Sequence, residues 1–297
     1  MAKSASVKNL VVVGTDFTEG ARSALGRAAM IAKSTGSRLL VVHVVPEMAV
    51  VPIAPLPGEW GGTSAPATSE EGQAALLATA RLAEQRLARE VGMPDAEAVI
   101  RTGRPHEALA HVAERRGARL LVVGVHAAMD PGETFFLGST AERLLRAGST
   151  PVLISRRPAD KPYGRILVPV DVGEMSLALL RLVAATFPDA EYDVCHFLAP
   201  TTSKAVTANE RRDAHAAALQ GFAIEAGLDP KRTRVRVFPT QPREGIAGEI
   251  KARKPDLVAM GTHARSGLAR VFIGSVADYV IHAATIDVLV VPPVAGT

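Results

Sequence analysis

Two glycine loops hold the residues of this chain best placed to do chemistry. Gly261-Thr262-His263-Ala264-Arg265-Ser266-Gly267 follows the apolar run Leu257 to Met260 and leads through Val271-Phe272-Ile273 to Gly274-Ser275-Val276-Ala277-Asp278. The pattern predicts a strand, a glycine turn and a helix, with Ser275 at the N-cap and Asp278 three residues on as its capping-box partner. A glycine turn opening onto a helix N-terminus presents unpaired N–H groups and the positive end of the helix dipole, which together suit phosphate. The arrangement occurs a second time. Gly124-Val125-His126-Ala127 follows Leu120 to Val123, and Gly138-Ser139-Thr140-Ala141-Glu142 opens a helix with a Ser-x-x-Glu box. Either copy by itself is equally an ordinary strand-to-helix loop. Recurrence at offsets of 137 (Gly124 to Gly261) and 136 (Gly138 to Gly274) argues against chance.

The elements that must position these loops repeat as well. Val11-Val12-Val13-Gly14-Thr15-Asp16 aligns with Leu167-Val168-Pro169-Val170-Asp171 at an offset of 155 between the aspartates, His43 with His196 at 153, and Pro105 with Pro242 at 137. The falling offset places about sixteen extra residues in the first copy. They map to the stretch 46–69, which holds five prolines and Trp60 and reads as a long loop or flap. Strands are predicted at Leu10–Val13, Arg38–Val45, Ala98–Arg101, Leu120–Gly124 and Val152–Ser155, with helices near 18–35, 70–91, 105–116 and 139–147. The second copy predicts strands near 165–170, 191–197, 233–238, 256–261 and 287–291. Continuous apolar strands alternating with helices mean a parallel sheet covered on both faces, in two domains, 1–156 and 157–297. Ligands of such doubly wound sheets sit at the carboxyl ends of the strands, where Asp16, Asp171 and both glycine loops fall.

Composition excludes several classes. The net charge of +4 is small for 297 residues, and the arginine doublets at 115–116, 156–157 and 211–212 read as solvated surface rather than a nucleic-acid patch. Cys195, the single cysteine, rules out an intramolecular disulfide and reads as a small buried hydrophobe. No apolar run has the length of a membrane span and the polar start lacks a signal-peptide core, so a cytoplasmic protein is expected. His106 and His111 stand five apart, a rotation of about 140° on a helix, and cannot share a metal as zinc-protease histidines do. His43 and His196 read as satisfied histidines within strands, whereas His126 and His263 point either to a bound phosphate or to solvent. Neither a Gly-x-Ser-x-Gly elbow nor a Walker loop is present. Asp16 and Asp171 either begin the turn into the next helix, as Thr18 and Glu19 suggest for Asp16, or accept a hydrogen bond from a nucleotide's base or ribose.

The segment Asp256-Leu-Val-Ala-Met-Gly-Thr-His-Ala-Arg-Ser-Gly-Leu, followed by Gly274-Ser-Val-Ala-Asp and Asp287-Val-Leu-Val-Val-Pro-Pro, resembles universal stress proteins. So do the opening Gly14-Thr-Asp-Phe-Thr-Glu-Gly-Ala and the strand Val-Val-His-Val-Val, and the likeness runs over both copies, about 7–155 and 164–293. The resemblance implies a five-stranded parallel α/β domain of the adenine nucleotide alpha hydrolase type in each copy, paired with its twin through the last strands, Val152–Ser155 against Val288–Val291. Further homodimerisation through similar edges is compatible with it.

ATP-binding members of the family carry Gly-x-x-Gly, nine residues, then Gly-Ser/Thr. Here Gly261, Gly274 and Ser275 match, with Val276 beside them, and so do Gly124, Gly138 and Ser139, with Thr140 beside them. Ala264 and Ala127 replace the middle glycine, and the first copy has one extra residue in between. The adenine-side aspartate corresponds to Asp171 and Asp16, and the strand residue beside the base to Phe197 and Val44; Phe197 either crowds an adenine ring or stacks on it. The resemblance thus points to an adenine nucleotide, ATP with or without Mg, held in at least one copy as a regulatory ligand for some protein partner, with His263 and Arg265 near its phosphates. The rival expectation is an interaction scaffold with degenerate crevices. A weak ATPase comes third, because no general base can be assigned.

Overall fold

The computed structural model describes residues 9–45, 95–125, 137–147, 149–199, 207–262 and 273–293, with scattered positions between 78 and 93. The proline-rich stretch 46–69, most of the helix predicted at 70–91, and His126, Ala127, His263, Ala264 and Arg265 lie outside the described residues.

The first half of the chain runs β1 (Leu10–Thr15), α1 (Glu19–Thr35), β2 (Arg38–Val45), β3 (Glu97–Thr102), α2 (Pro105–Arg115), β4 (Leu120–Gly124), α3 (Ser139–Ala147) and β5 (Val152–Ser155). The second runs β6 (Arg165–Pro169), α4 (Glu174–Thr186), β7 (Glu191–Phe197), α5 (Ala208–Glu225), β8 (Thr233–Phe238), α6 (Pro242–Arg253), β9 (Leu257–Gly261), α7 (Ser275–Ala283) and β10 (Asp287–Val291). All six residues of β1 and all five of β10 are buried, as strands covered on both faces must be.

The strands form one sheet in the order β3-β2-β1-β4-β5-β10-β9-β6-β7-β8. Each half starts at its centre (β1, β6), winds outward, then crosses back to the other side, so strand order reverses next to β1 and β6. Pairing within each half is parallel. Between halves, β5 and β10 pair antiparallel, with Leu153 opposite Leu289 and Ile154 opposite Val288. Alternation along the strands then builds two cores that run unbroken through this seam. Val11, Leu153, Leu289 and Val168 lie in one, and Val12, Ile154, Val288 and Leu167 in the other.

The helix starts depart in part from expectation. Thr18, the N-cap of α1, accepts from the Ala21 amide at 3.3 Å. The boxes expected at Ser275 and Ser139 do not form. Gly274 is the N-cap of α7 with no side-chain cap, Ser275 is already the first helical residue, and Glu142 bonds Arg146 instead. Asp278 therefore falls at the fourth helical position, one beyond the register in which Glu210 closes the box with Thr207 in α5.

A second departure concerns Arg156, expected on a solvated surface and found only 7% exposed. It belongs to a polar cluster around Asp287, whose exposure is zero. Asp287 Oδ1 accepts the backbone amides of Arg156 (2.8 Å) and Arg157 (3.1 Å), and Oδ2 accepts the Tyr163 hydroxyl at 2.5 Å. Arg27 of α1 completes the cluster, with Nε 3.5 Å from Asp287 Oδ2 and its guanidinium 4.1 Å from the Tyr163 ring centroid. Burial and the Asp287 charge push the Tyr163 hydroxyl pKa well above its ordinary value, and burial draws the Arg156 guanidinium down to about 10.

Replacing Asp287 by Asn keeps an acceptor for the two amides but leaves Arg27 as a buried cation without its counter-ion. Urea unfolding of Asp287→Asn is expected to show a loss of about 3 kcal/mol, and a loss below about 0.5 kcal/mol, the scale of surface substitutions, would contradict this assignment.

Candidate functional site

Each half carries a crevice at the carboxyl ends of its central strands, beside the point where strand order reverses. The first encloses about 280 Å³, and Asp16, Val44, Gly124, Gly138, Ser139 and Thr140 all line it, with Thr15, His43 and Pro105. At its mouth the chain turns sharply. Phe17 adopts a left-handed φ of 66°, and Asp16 Oδ1 accepts from both the amide (3.1 Å) and the hydroxyl (2.6 Å) of Thr18. Asp16 therefore does begin the turn into α1, with that oxygen committed to it. The space next to Gly124 is occupied by protein, since a Cβ there would stand 2.2 Å from the Gly20 carbonyl oxygen. Here α1 presses directly on β4, which only glycine allows.

The second crevice is larger, about 410 Å³, and is lined by Asp171, Phe197, Gly261, Gly274, Ser275 and Val276, with Pro169, His196, Pro242, Ile246 and Met260. Asp171 Oδ1 accepts the Ser176 hydroxyl at 2.8 Å, which fixes the carboxylate toward α4. Opposite it stands the N-terminus of α7, whose first turn has no side-chain cap. Its orphan amides and dipole make that end attractive to an anion. Arg243, exposed on α6, stands beside the first turn of α7, donating to the Ser275 carbonyl at 3.0 Å and lying over the Tyr279 ring at 5.7 Å.

The described candidates thus gather in two groups, one per crevice, with an acid at one end and a helix start at the other. Two features escaped the sequence reading. Arg243 looked like one more scattered arginine, and only the approach of α6 to α7 gives it a place. Gly245 in α6 lies against the Phe197 ring; comparing the copies at the 137 offset would have paired it with Ala108, just where Phe197 stands for Val44.

The strand histidines are satisfied through Nδ1, His43 at the Thr15 carbonyl (2.8 Å) and His196 at the Val170 carbonyl (2.7 Å). Their ring partners differ. His43 packs on Phe17 (4.6 Å), whereas His196 stacks on His215 of α5 (4.7 Å, 7° between planes). Cys195 is fully buried and its thiol is pushed up to about 12 by burial, a poor nucleophile. Among the described residues no group of three or more His, Cys, Asp or Glu could hold a metal ion, and no helix is long and apolar enough to cross a membrane.

Two doubly wound halves joined through their last strands, each with a crevice at its switch point, define a tandem α/β protein. The chain belongs to the Universal stress protein family, whose model matches it twice, over residues 9–156 and 162–292. It is 27% identical to universal stress protein Rv2005c of Mycobacterium tuberculosis, across 94% of this chain and 96% of the relative. A universal stress protein structure from Archaeoglobus fulgidus superposes with a TM-score of 0.69 at 16% identity, covering 96% of this chain and 98% of that one. One from Pseudomonas aeruginosa gives 0.63 at 20% identity, covering 97% and 94%.

The His196–His215 stack sets a pH dependence. Burial, then the neighbouring His196 charge and that of Arg211, lower the His215 pKa below its ordinary value. The unfolded chain accordingly takes up that proton first, near pH 6.5, and stability falls as pH drops below this point. His215→Asn is expected to flatten the decline in melting temperature that sets in as pH falls below about 6.5; an unchanged decline between about pH 7.5 and about pH 5 would place the titrating group elsewhere.

Proposed function

We propose that this chain is a cytoplasmic stress-response protein that holds an adenine nucleotide, ATP with or without Mg, in at least one crevice and uses it to bias a protein–protein state. The observation that carries this reading is the second crevice: a carboxylate anchored by Ser176 at one end and, at the other, the uncapped start of α7 flanked by Arg243. A nucleotide has matching parts, a donor-bearing base or ribose for Asp171 and a polyanion for the helix start. The apolar wall between them, Val170, Met260 and Ile246, suits a planar base. The reading is of a bound regulatory ligand, with weak ATP hydrolysis as the lesser alternative. The outermost strands of the sheet, β3 and β8, are where we place the surface on which a partner registers the occupied state.

Calorimetric titration of nucleotide-stripped protein with Mg-ATP tests the reading, with Asp171→Ala and Asp16→Ala alongside. Binding is expected in the wild type and a loss of about tenfold or more, the worth of a hydrogen bond to a charged group, in at least one variant. Absence of both heat and thermal stabilisation at millimolar ATP would leave the scaffold reading.

A further inference from the structure

The two crevices share one ancestral pattern, yet their glycines are there for different reasons. In the first, Gly138 has φ +75°, a conformation that favours glycine, and Gly124 is required by the contact with Gly20. Both are explained by the fold itself. In the second, Gly274 has φ −59°, which any residue adopts, and a Cβ on Gly261 would meet nothing nearer than the Val291 carbonyl oxygen at 3.9 Å among the described residues. Among the described residues neither backbone nor packing accounts for Gly261, and the backbone does not account for Gly274. A ligand that approaches the main chain closely would.

The wall residue differs in a linked way. Phe197 stands where the first copy has Val44, yet the second cavity is the larger, about 410 Å³ against about 280 Å³. Gly245 makes room for the ring. A methyl group there would lie 2.2 and 2.4 Å from Cδ1 and Cε1 of the Phe197 ring, so the ring is seated in the space a side chain on α6 would fill. Phe238 stacks on it at 5.4 Å and 15°. Glycine inside α6 costs about 1 kcal/mol of helix stability relative to alanine, and the first copy has Ala108 at this position. With Phe238 on one face and α6 at its edge, the open side of the ring is the cavity it lines.

We infer that the second crevice is the one that takes the aromatic base, with Phe197 as its recessed wall and Gly245 as the positioning residue that keeps the ring out of the base's path. This rests on the nucleotide reading above and assigns the site within it. The first crevice, the smaller of the two and with both of its loop glycines required by the fold, stays without a purine.

The test uses the full chain with Gly245→Ala, Phe197→Val and the double variant, titrated with Mg-ATP and melted without ligand. One site per chain is expected, unaffected by Asp16→Ala. Gly245→Ala lowers the melting temperature and weakens binding about tenfold or more, as overpacking of 1–3 kcal/mol implies. Adding Phe197→Val relieves the clash and recovers both relative to Gly245→Ala. Two sites, or one abolished by Asp16→Ala, overturn the assignment while the nucleotide reading stands, and so does unchanged affinity in Gly245→Ala. A wild type that binds no Mg-ATP overturns both. A double variant that melts no higher than Gly245→Ala refutes the positioning role irrespective of ligand.

Discussion

Asp287 keeps a carboxylate where no solvent reaches it, at the first residue of the strand that joins the two halves. A charge in that position persists only if its lone pairs are taken up by donors. Here the partners come from three separate parts of the chain: the amides of Arg156 and Arg157 where the linker begins and the Tyr163 hydroxyl where it ends donate to it, and Arg27 from the first copy's α1 supplies the counter-charge. The carboxylate thereby fixes how the linker leaves β5 and re-enters at β6. The antiparallel seam of β5 on β10 and the continuity of both cores depend on that path.

With the seam set, the rest follows from the geometry of parallel sheets. Each half begins at its middle strand and crosses over once, which leaves a gap between neighbouring loops at the carboxyl ends of β1 and β4 in one half, and of β6 and β9 in the other. Aspartates at the ends of the central strands and helix starts after the partner strands face each other across those gaps. A crevice with an acid at one end and helix amides at the other is thus a consequence of topology before it is a property of any one residue.

The copies then diverge by paired changes. In the first, α1 closes on β4 through the Gly20–Gly124 contact, and Phe17 adopts a left-handed turn that covers His43. In the second, no such closure forms at Gly261 among the described residues, His215 takes over the covering of His196, and Phe197 is accommodated by Gly245. Phe197 is matched by a glycine across the interface, as a close-packed interior requires. Such pairing keeps both folds intact while it gives the two crevices different volumes and different walls.

Much of this was legible in the residues alone. Hydrophobic runs bounded by turn residues marked the ten strands to within a residue or two at their ends, because a strand buried on both faces must be apolar throughout. The internal repeat gave the two-copy organisation, and position at strand ends gathered the described candidate residues at the crevices. Long-range contact decided the remainder. Arg156, Arg27 and Tyr163 carry no pattern that separates them from exposed neighbours; their burial depends on a carboxylate more than a hundred residues away in sequence. Ser275 had the composition of a cap, but the helix begins one residue earlier in space than its pattern suggested. Whether Phe197 would crowd the second crevice was open in sequence, since a ring's direction is set by what lies behind it. Only the packing of α6 against β7 shows that Gly245 left the ring a place to go.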